Sequence, residues 1–414
     1  MDQRQGRGPR WQFGLGREAG LVCWAMLFLE ASFASYFLLL PLYVAHLGAN
    51  PAQVGLIIGI WGMLRIVFLV PSGILVDRVP PVRLIVRARA LGVLGLLLAA
   101  ALPVWWLLPL AFILTGSANV AFPAISAIIA GSAGERDRAR AFTLAYTVSP
   151  AIATVIAPLL SGKAAEAVGL RVALLLGAGF AALSIAVFSR LTPQPPPARD
   201  AAPASYREAF AYGPIRTLCL LQLAALLVLT TGTTLIPNFL REVHGVRYDR
   251  LGQLGSVAAI GSILLGLLFA RLRPFGRPLA GITAATACTA GTFAILLAAE
   301  SLPLFALAFL LRGGYMVAWS LFVAAVGDAA PARLYGRAFA LSEVCGAIGF
   351  GVAPFLAGPL YERNPAAPLA AALAASLPLV VVLGVAAWRE RGGRAAERGT
   401  EMAEEPAATA SSAR

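Results

Sequence analysis

The sequence predicts an all-α membrane protein of twelve transmembrane helices, arranged as two pseudo-symmetric six-helix bundles. Three observations predict this. Of 414 residues, 59% are hydrophobic and only 13% charged, with a mean hydropathy of +0.79. A soluble chain could not cover such an interior with so few polar groups, whereas a bilayer needs no such cover. Twelve apolar stretches each approach the roughly 20 residues that a bilayer-spanning helix needs. Finally, the chain repeats itself at a spacing of about 197 residues. Arg140-Ala141-Phe142-Thr143-Leu144 returns as Arg337-Ala338-Phe339-Ala340-Leu341, and Leu114-Thr115-Gly116 as Leu311-Arg312-Gly313. Ala157-Pro158-Leu159-Leu160-Ser161-Gly162 returns as Ala353-Pro354-Phe355-Leu356-Ala357-Gly358, one residue out of step. The breaks recur as well as the apolar runs, so shared composition does not explain the match.

In order, the predicted spans are 20–44, 52–76, 84–102, 105–131, 141–161 and 171–191, then 214–240, 250–270, 278–299, 303–327, 338–361 and 367–388. Many hold Gly or Pro, which membrane helices tolerate because neighbours re-satisfy the freed backbone groups. The domain reading follows: a tail over 1–19, a bundle over 20–191, a linker over 192–213, a second bundle over 214–388 and a tail over 389–414. Pro193, Pro195, Pro196, Pro197 and Pro203 make the linker an extended segment. The charged, Ala-rich final tail reads as disordered. The first apolar run lacks a small-residue cleavage site and is expected to remain as a helix.

The formal charge is +13, but the basic residues fall in short runs between apolar segments. No basic face interleaved with aromatics exists, which argues against nucleic acid as a partner. The runs set topology instead. Twenty-five Lys and Arg flank the spans on the side of the termini and six on the other, with Arg65 and Arg312 inside helices. This bias places both termini in the cytoplasm, with the chain multi-pass in the inner membrane of a bacterium. Trp105 and Trp106 are expected at the outer interface and Trp388 at the inner one. Cys23, Cys219, Cys288 and Cys345 lie in apolar segments at spacings that form no metal pattern, and His46 and His244 fall in separate outer loops. No metal, cofactor or enzyme chemistry is expected. The chain's one lysine, Lys163, supplies no nucleotide-binding Gly-rich loop.

Gly73-Ile74-Leu75-Val76-Asp77-Arg78, followed by Arg83 and Arg87, carries a family likeness. With two six-helix halves and a cytoplasmic linker, these residues resemble the major facilitator superfamily, which has a Gly, Asp-Arg and basic run between helices 2 and 3. The likeness covers about residues 20–388. Pro80, Pro81 and Val82 intervene before Arg83, and the second half keeps only a worn copy in which Ala270 replaces the aspartate. The resemblance implies that Gly73 lets helix 2 approach helix 11. It also implies that Asp77, with Arg78 and Arg83, latches the cytoplasmic side in the outward-open state, Arg337 being a candidate partner. The alternative is that these charges only fix topology. Helix 5 resembles, through Pro158 and Gly162, a pattern of proton-coupled exporters, but Ala153, Ala157 and Ser161 replace its glycines. Its recurrence around Pro354 favours a packing role for both prolines.

A charge at bilayer depth is costly unless paired or hydrated, so each is a functional candidate. Glu30 and Arg65 are predicted at about 15 and 16 Å from the cytoplasmic face, at 1.5 Å per residue. Consecutive antiparallel helices at equal depth permit a Glu30–Arg65 pair. The second half has no charged counterparts, Leu226 and Ser262 standing there. Desolvation opposes ionisation of a carboxylate and a nearby arginine favours it. Glu30 is therefore either the proton-coupling carboxylate or half of a permanent structural pair. Arg312, at mid-depth in helix 10, is a candidate anchor for a polar or anionic solute group. Glu343, about 8 Å inside helix 11, reads as structural or gating. Thr230, Thr231, Thr233, Thr234 and Asn238 form a polar cluster on helix 7, either contacting solute or bonded to their own backbone. Tyr36, Phe37, Tyr146 and Tyr315 are candidates for an aromatic cavity wall.

The function expected is secondary transport of a small solute by rocker-switch alternating access, as a monomer in contact with lipid and protons. Proton-coupled export of drug-like compounds or metabolites is favoured. An uptake symporter or an uncoupled facilitator is the alternative, and a receptor or membrane enzyme the rival from another class.

Overall fold

The computed structural model describes residues 15–132, 140–192, 206–271 and 278–411, without side chains at 69–74, 76–77, 127, 130–132, 332 and beyond 389. Among the described residues every regular element is a helix, and twelve helices are long and apolar enough to span a bilayer. Their order fits two bundles of six, called here spans 1–6 and 7–12. The masked segments include most of the Pro-rich linker and the first basic tail, so those readings lie outside the described residues.

Four spans predicted as continuous are broken, and the breaks respect the repeat. Span 1 runs Arg17–Tyr36, then turns at 37–39 into Leu40–His46; span 7 runs Gly213–Thr233, then Ile236–Glu242. Pro41 and Pro237 sit in the first turn of each second segment, where a missing N–H and a fixed φ stop the preceding helix and start the next. Span 4 is interrupted by a 3₁₀ turn at Ala118–Val120, and span 10 divides at Gly313 into Leu302–Arg312 and Gly314–Ala329. A Cβ on Gly313 would collide with the Ser262 backbone of span 8, so the break lies where two main chains touch.

The remaining spans are Pro51–Arg78, Pro81–Ala101, Arg140–Val168, Arg171–Phe188, Tyr248–Arg271, Pro278–Ala298, Tyr335–Arg363 and Ala367–Ser411. Span 2 opens with a reciprocal cap: Gln53 N–H donates to Asn50 Oδ1 at 2.8 Å and Asn50 N–H to Gln53 Oε1 at 2.9 Å. Span 5 begins with a π turn at Leu144–Val148, upstream of Pro150, whose missing N–H leaves Tyr146 C=O without its helical donor. Trp106 is 60% and Trp388 73% exposed, as residues anchoring at lipid interfaces are.

Two terminal readings need correction. The linker is not extended throughout: Tyr206–Ala211 is helical. It docks on the start of span 11, with Ala209 fully buried, Glu208 paired to Arg333 at 3.0 Å and the Arg337 guanidinium 4.3 Å over the Tyr206 ring. Span 12 also continues as helix to Ser411, where disorder is the expectation from charge. Ala, Glu and Arg are strong helix formers, and here propensity outweighs charge.

Candidate functional site

The halves meet where span 2 crosses span 11 and span 5 crosses span 8. Both crossings are tightest on the face away from the termini. A Cβ on Gly55 would strike the Pro354 carbonyl oxygen and lie 2.9 Å from Gly358 Cα. A Cβ on Gly252 would strike the Pro158 carbonyl oxygen and lie 2.9 Å from Gly162 Cα. Gly55 and Gly252 occupy repeat-equivalent positions, as do Pro158 and Pro354, and Gly162 and Gly358. One contact is thus used twice, related by the pseudo-twofold. Backbone approach of this kind is what small residues provide between membrane helices. Ser256 Oγ donates across the second crossing to Val155 C=O at 2.6 Å. At its rim, Glu166 accepts Tyr248 N–H at 2.8 Å and pairs with Arg247 at 3.2 Å. Pro158 and Pro354, read as structural or gating, are both buried at these crossings.

Beneath this seal lies a pocket bounded by both halves, with Phe37, Pro41 and Ile58 from the first and Thr230, Arg312, Tyr315 and Phe350 from the second. Its free volume is about 50 Å³, room for a few waters at roughly 10–15 Å³ each. The aromatic wall is richer than the sequence suggests. Phe37 and Phe350 face each other across the halves at 6.1 Å between centroids, with Trp61 at 5.5 Å from Phe37 and Trp319 at 6.1 Å from Phe350. Trp61, Trp319 and Phe350 are absent from the sequence-derived candidates, and single aromatic residues in apolar helices give no periodic signal that separates cavity from core.

Of the predicted cavity residues, Phe37, Thr230, Thr233, Thr234, Arg312 and Tyr315 line this pocket. Tyr315 Oη and Thr230 Oγ1 share a hydrogen bond of 2.9 Å. Thr231, Thr233 and Thr234 donate to their own helix, at 2.7, 3.0 and 2.6 Å, and of these Thr233 and Thr234 also line the pocket. Asn238 is buried outside the pocket walls and reaches Glu242 at 3.5 Å, which also accepts from Tyr361 at 2.7 Å. Tyr36 and Tyr146 lie outside the pocket walls too. Tyr146 Oη bonds Ser126 Oγ at 2.8 Å within the first half.

The Glu30–Arg65 ion pair expected from equal depth is not formed. Arg65 Nη2 donates across the halves to Glu343 Oε2 at 3.1 Å, while its guanidinium lies 5.7 Å from the Trp319 ring centre. Depth along two helices fixes height but not azimuth, and span 2 turns Arg65 toward span 11. Glu30 has both Arg65 and Arg89 within electrostatic reach. Arg89, one of the twenty-five basic residues on the side of the termini, is 7% exposed, eight residues inside span 3, with its guanidinium 5.0 Å over Phe122. Its depth, about 12 Å at 1.5 Å per residue, is the signal that a loop count passes over. Glu343, expected to be structural or gating, is thus the residue that ties the halves together at mid-depth.

In the loop after span 2, Arg78 and Arg83 are exposed. The packing of Gly73 and the side chain of Asp77 lie outside the described residues. Arg337, the candidate latch partner, stacks on Tyr206 of the linker helix.

The chain matches the family model of the Major Facilitator Superfamily over residues 22–354 and 218–413. It is similar to the inner membrane transport protein YajR of Escherichia coli (strain K12), 31% identical over 134 residues, a match taking in 31% of this chain and 29% of that protein. Among solved structures it resembles a point mutant of the nucleoside transporter NupG, with TM-score 0.75 and 14% identity over 90% of this chain and 99% of that one. The peptide transporter POT in complex with sulfate follows at TM-score 0.73 and 17% identity, over 91% and 95%. A bacterial homologue of the human lysosomal transporter Spinster, inward-facing and unoccupied, gives 0.68 and 15%, over 92% and 96%. At such identities these likenesses speak for the fold.

Proposed function

The chain belongs to the Major Facilitator Superfamily, and from that premise we propose that it exports a small solute by rocker-switch alternating access coupled to protons. The observation that carries the reading is the duplicated seal above a pocket shared by both halves. Two backbone contacts related by the pseudo-twofold close one face. Rotating one half about the pocket separates both at once and brings the opposite ends together. The arginine bias makes the closed face the outer one and the face of the termini cytoplasmic, in a bacterial inner membrane. Outward movement is the direction that the helix-5 pattern adds.

Arg65 is the element that links rocking to protonation. In this state it holds Glu343 of the other half, leaving Glu30 to Arg89. When the halves separate at that depth, Arg65 is free to turn toward Glu30. An arginine arriving at a carboxyl group favours its anion and expels its proton. Glu30 thus takes a proton in one state and loses it in the other. Solute flux into inverted vesicles tests this. Accumulation should follow the imposed gradient, about tenfold per pH unit for one proton per solute. Glu30→Gln is expected to lose accumulation while retaining solute exchange at equal concentrations. Accumulation that survives in that variant, or with the gradient collapsed, overturns the coupling and leaves a facilitator.

The loop after span 2 is proposed to latch the cytoplasmic face when it closes, with Asp77 as the anion at a helix end. Asp77→Asn should slow net transport several-fold without weakening solute binding. Unchanged transport would leave these charges a topological role alone.

A further inference from the structure

Five charged side chains lie at mid-depth among the described residues: Arg65, Arg89, Arg312, Glu30 and Glu343. Glu343 is taken by Arg65 at 3.1 Å, and Glu30 lies within electrostatic reach of both Arg89 and Arg65. Arg89 Nε and Nη2 are buried without a hydrogen-bond partner, but of the three arginines Arg312 is the one that lines the pocket. Among the described residues no carboxylate pairs with it. Its Nε is buried without a hydrogen-bond partner, its guanidinium rests 5.5 Å from the Phe309 ring centre, and its side chain lines the pocket. A cation held at this depth without a counter-ion is costly, and a bound anion removes the cost.

We infer that the solute is an aromatic monocarboxylate whose anionic group pairs with Arg312. This rests on the transporter reading above and names its cargo. A planar guanidinium binds a carboxylate through two parallel N–H donors. One guanidinium serves one carboxylate, so a second anionic group would be buried without a partner, and a cation would add to the charge already there. Tyr315 and Thr230, hydrogen-bonded to each other beside Arg312, offer hydroxyls to the second carboxylate oxygen. The other walls are apolar and ring-rich, with Phe37 and Phe350 at the pocket and Trp61 and Trp319 behind them. These suit a flat ring in offset or edge contact. The free volume of about 50 Å³ is below the roughly 150 Å³ of a cavity that holds benzene, so the pocket must widen to admit a ring, and a single ring with a short acid group asks least of it.

Trp61 and Trp319 supply the readout. Purified full-length protein in lipid nanodiscs is titrated at neutral pH with benzoate, benzyl alcohol, benzylamine and phthalate, following tryptophan fluorescence. Benzoate should give a saturable change at an affinity about tenfold or more above the other three, a difference equivalent to about 1.4 kcal/mol. Arg312→Gln should erase that preference. Arg312→Lys, which keeps the charge but not the fork, should retain preference for benzoate at lower affinity. Equal affinity for benzyl alcohol or benzylamine, an unchanged benzoate response in Arg312→Gln, or no saturable response to benzoate in the unmodified protein each overturns the inference. The first and third outcomes need no variant to fold. Gradient-driven flux of a neutral or cationic solute would sink this cargo and keep the transporter. Benzoate that binds but is never moved across proteoliposomes keeps the site and sinks the transport reading for it.

Discussion

Gly252→Val is expected to hold the protein open on its outer face and to cut transport by about 10- to 100-fold. The cause is steric and local. At Gly252 the obstacles to a Cβ are the Pro158 carbonyl oxygen and the Gly162 main chain, with Gly162 Cα at 2.9 Å. These are backbone atoms of the other half, so no rotamer change relieves the clash, and spans 5 and 8 must move apart. Overpacking of this kind costs about 1–3 kcal/mol, which as a bias between two states is roughly 5- to 150-fold. The cost falls on the outward-closed state alone, because the crossing is absent when that face opens. Gly55→Val attacks the repeat-equivalent crossing against Pro354 and Gly358 and should act the same way. Gly266→Val on the same span as Gly252 is the control, since its Cβ would meet only Val317 Cγ2, at 3.8 Å. A cysteine placed at the pocket residue Thr234 reports the state through a membrane-impermeant thiol reagent added outside. It should react quickly in the Gly252→Val background and slowly in the parent. Equal reaction rates, with transport intact, would show that this crossing gates nothing.

The repeat that makes those two glycines comparable is readable without coordinates, and its meaning is not. Spacing alone pairs Pro158 with Pro354 and Gly162 with Gly358. That both sets press against glycines of the opposite half, Gly252 and Gly55, depends on which helix faces meet. The same limit explains the misassigned ion pair. Residue count places Glu30 and Arg65 at one height, but a helix with apolar residues on every side carries no strong periodic signal to fix its rotation. Arg65 therefore turns to Glu343, a partner 278 residues away. Arg89 escaped notice because three of its neighbours in sequence, Arg78, Arg83 and Arg87, are exposed at the helix ends, and a topology count absorbs all four together. The twelve spans, by contrast, are legible because the bilayer imposes a length and a composition on each. The breaks in spans 1 and 7 were available from Pro41 and Pro237, whose effect on a helix is covalent and needs no tertiary context.

Arg65→Gln is expected to destabilise the state described here relative to the opposite one, and to slow transport by about tenfold or more. Its guanidinium is the partner of Glu343 across the halves, and removing it leaves a carboxylate at mid-depth with no replacement among the described residues at that contact. Breaking a fully buried pair costs about 3–5 kcal/mol. The two side chains are 40% and 33% exposed, which brings the figure toward the surface value of about 1 kcal/mol or less. An intermediate cost of about 1–3 kcal/mol shifts the two-state ratio by roughly 5- to 150-fold. Glu343→Gln should do less harm, since an amide left near Arg65 can still accept its hydrogen bond and Glu30 remains within reach of the freed cation. The inequality distinguishes a pair that joins the halves from two charges acting separately. The combined exchange Arg65→Glu with Glu343→Arg keeps the contact but reverses it and puts a second acid beside Glu30. Partial recovery over Arg65→Glu alone, read as a coupling term in a double-mutant cycle, would establish that the two residues act on each other. A cycle with no coupling, in transport and in thiol accessibility alike, would remove the cross-half bond from the mechanism and with it the route by which Arg65 reports the position of the halves to Glu30.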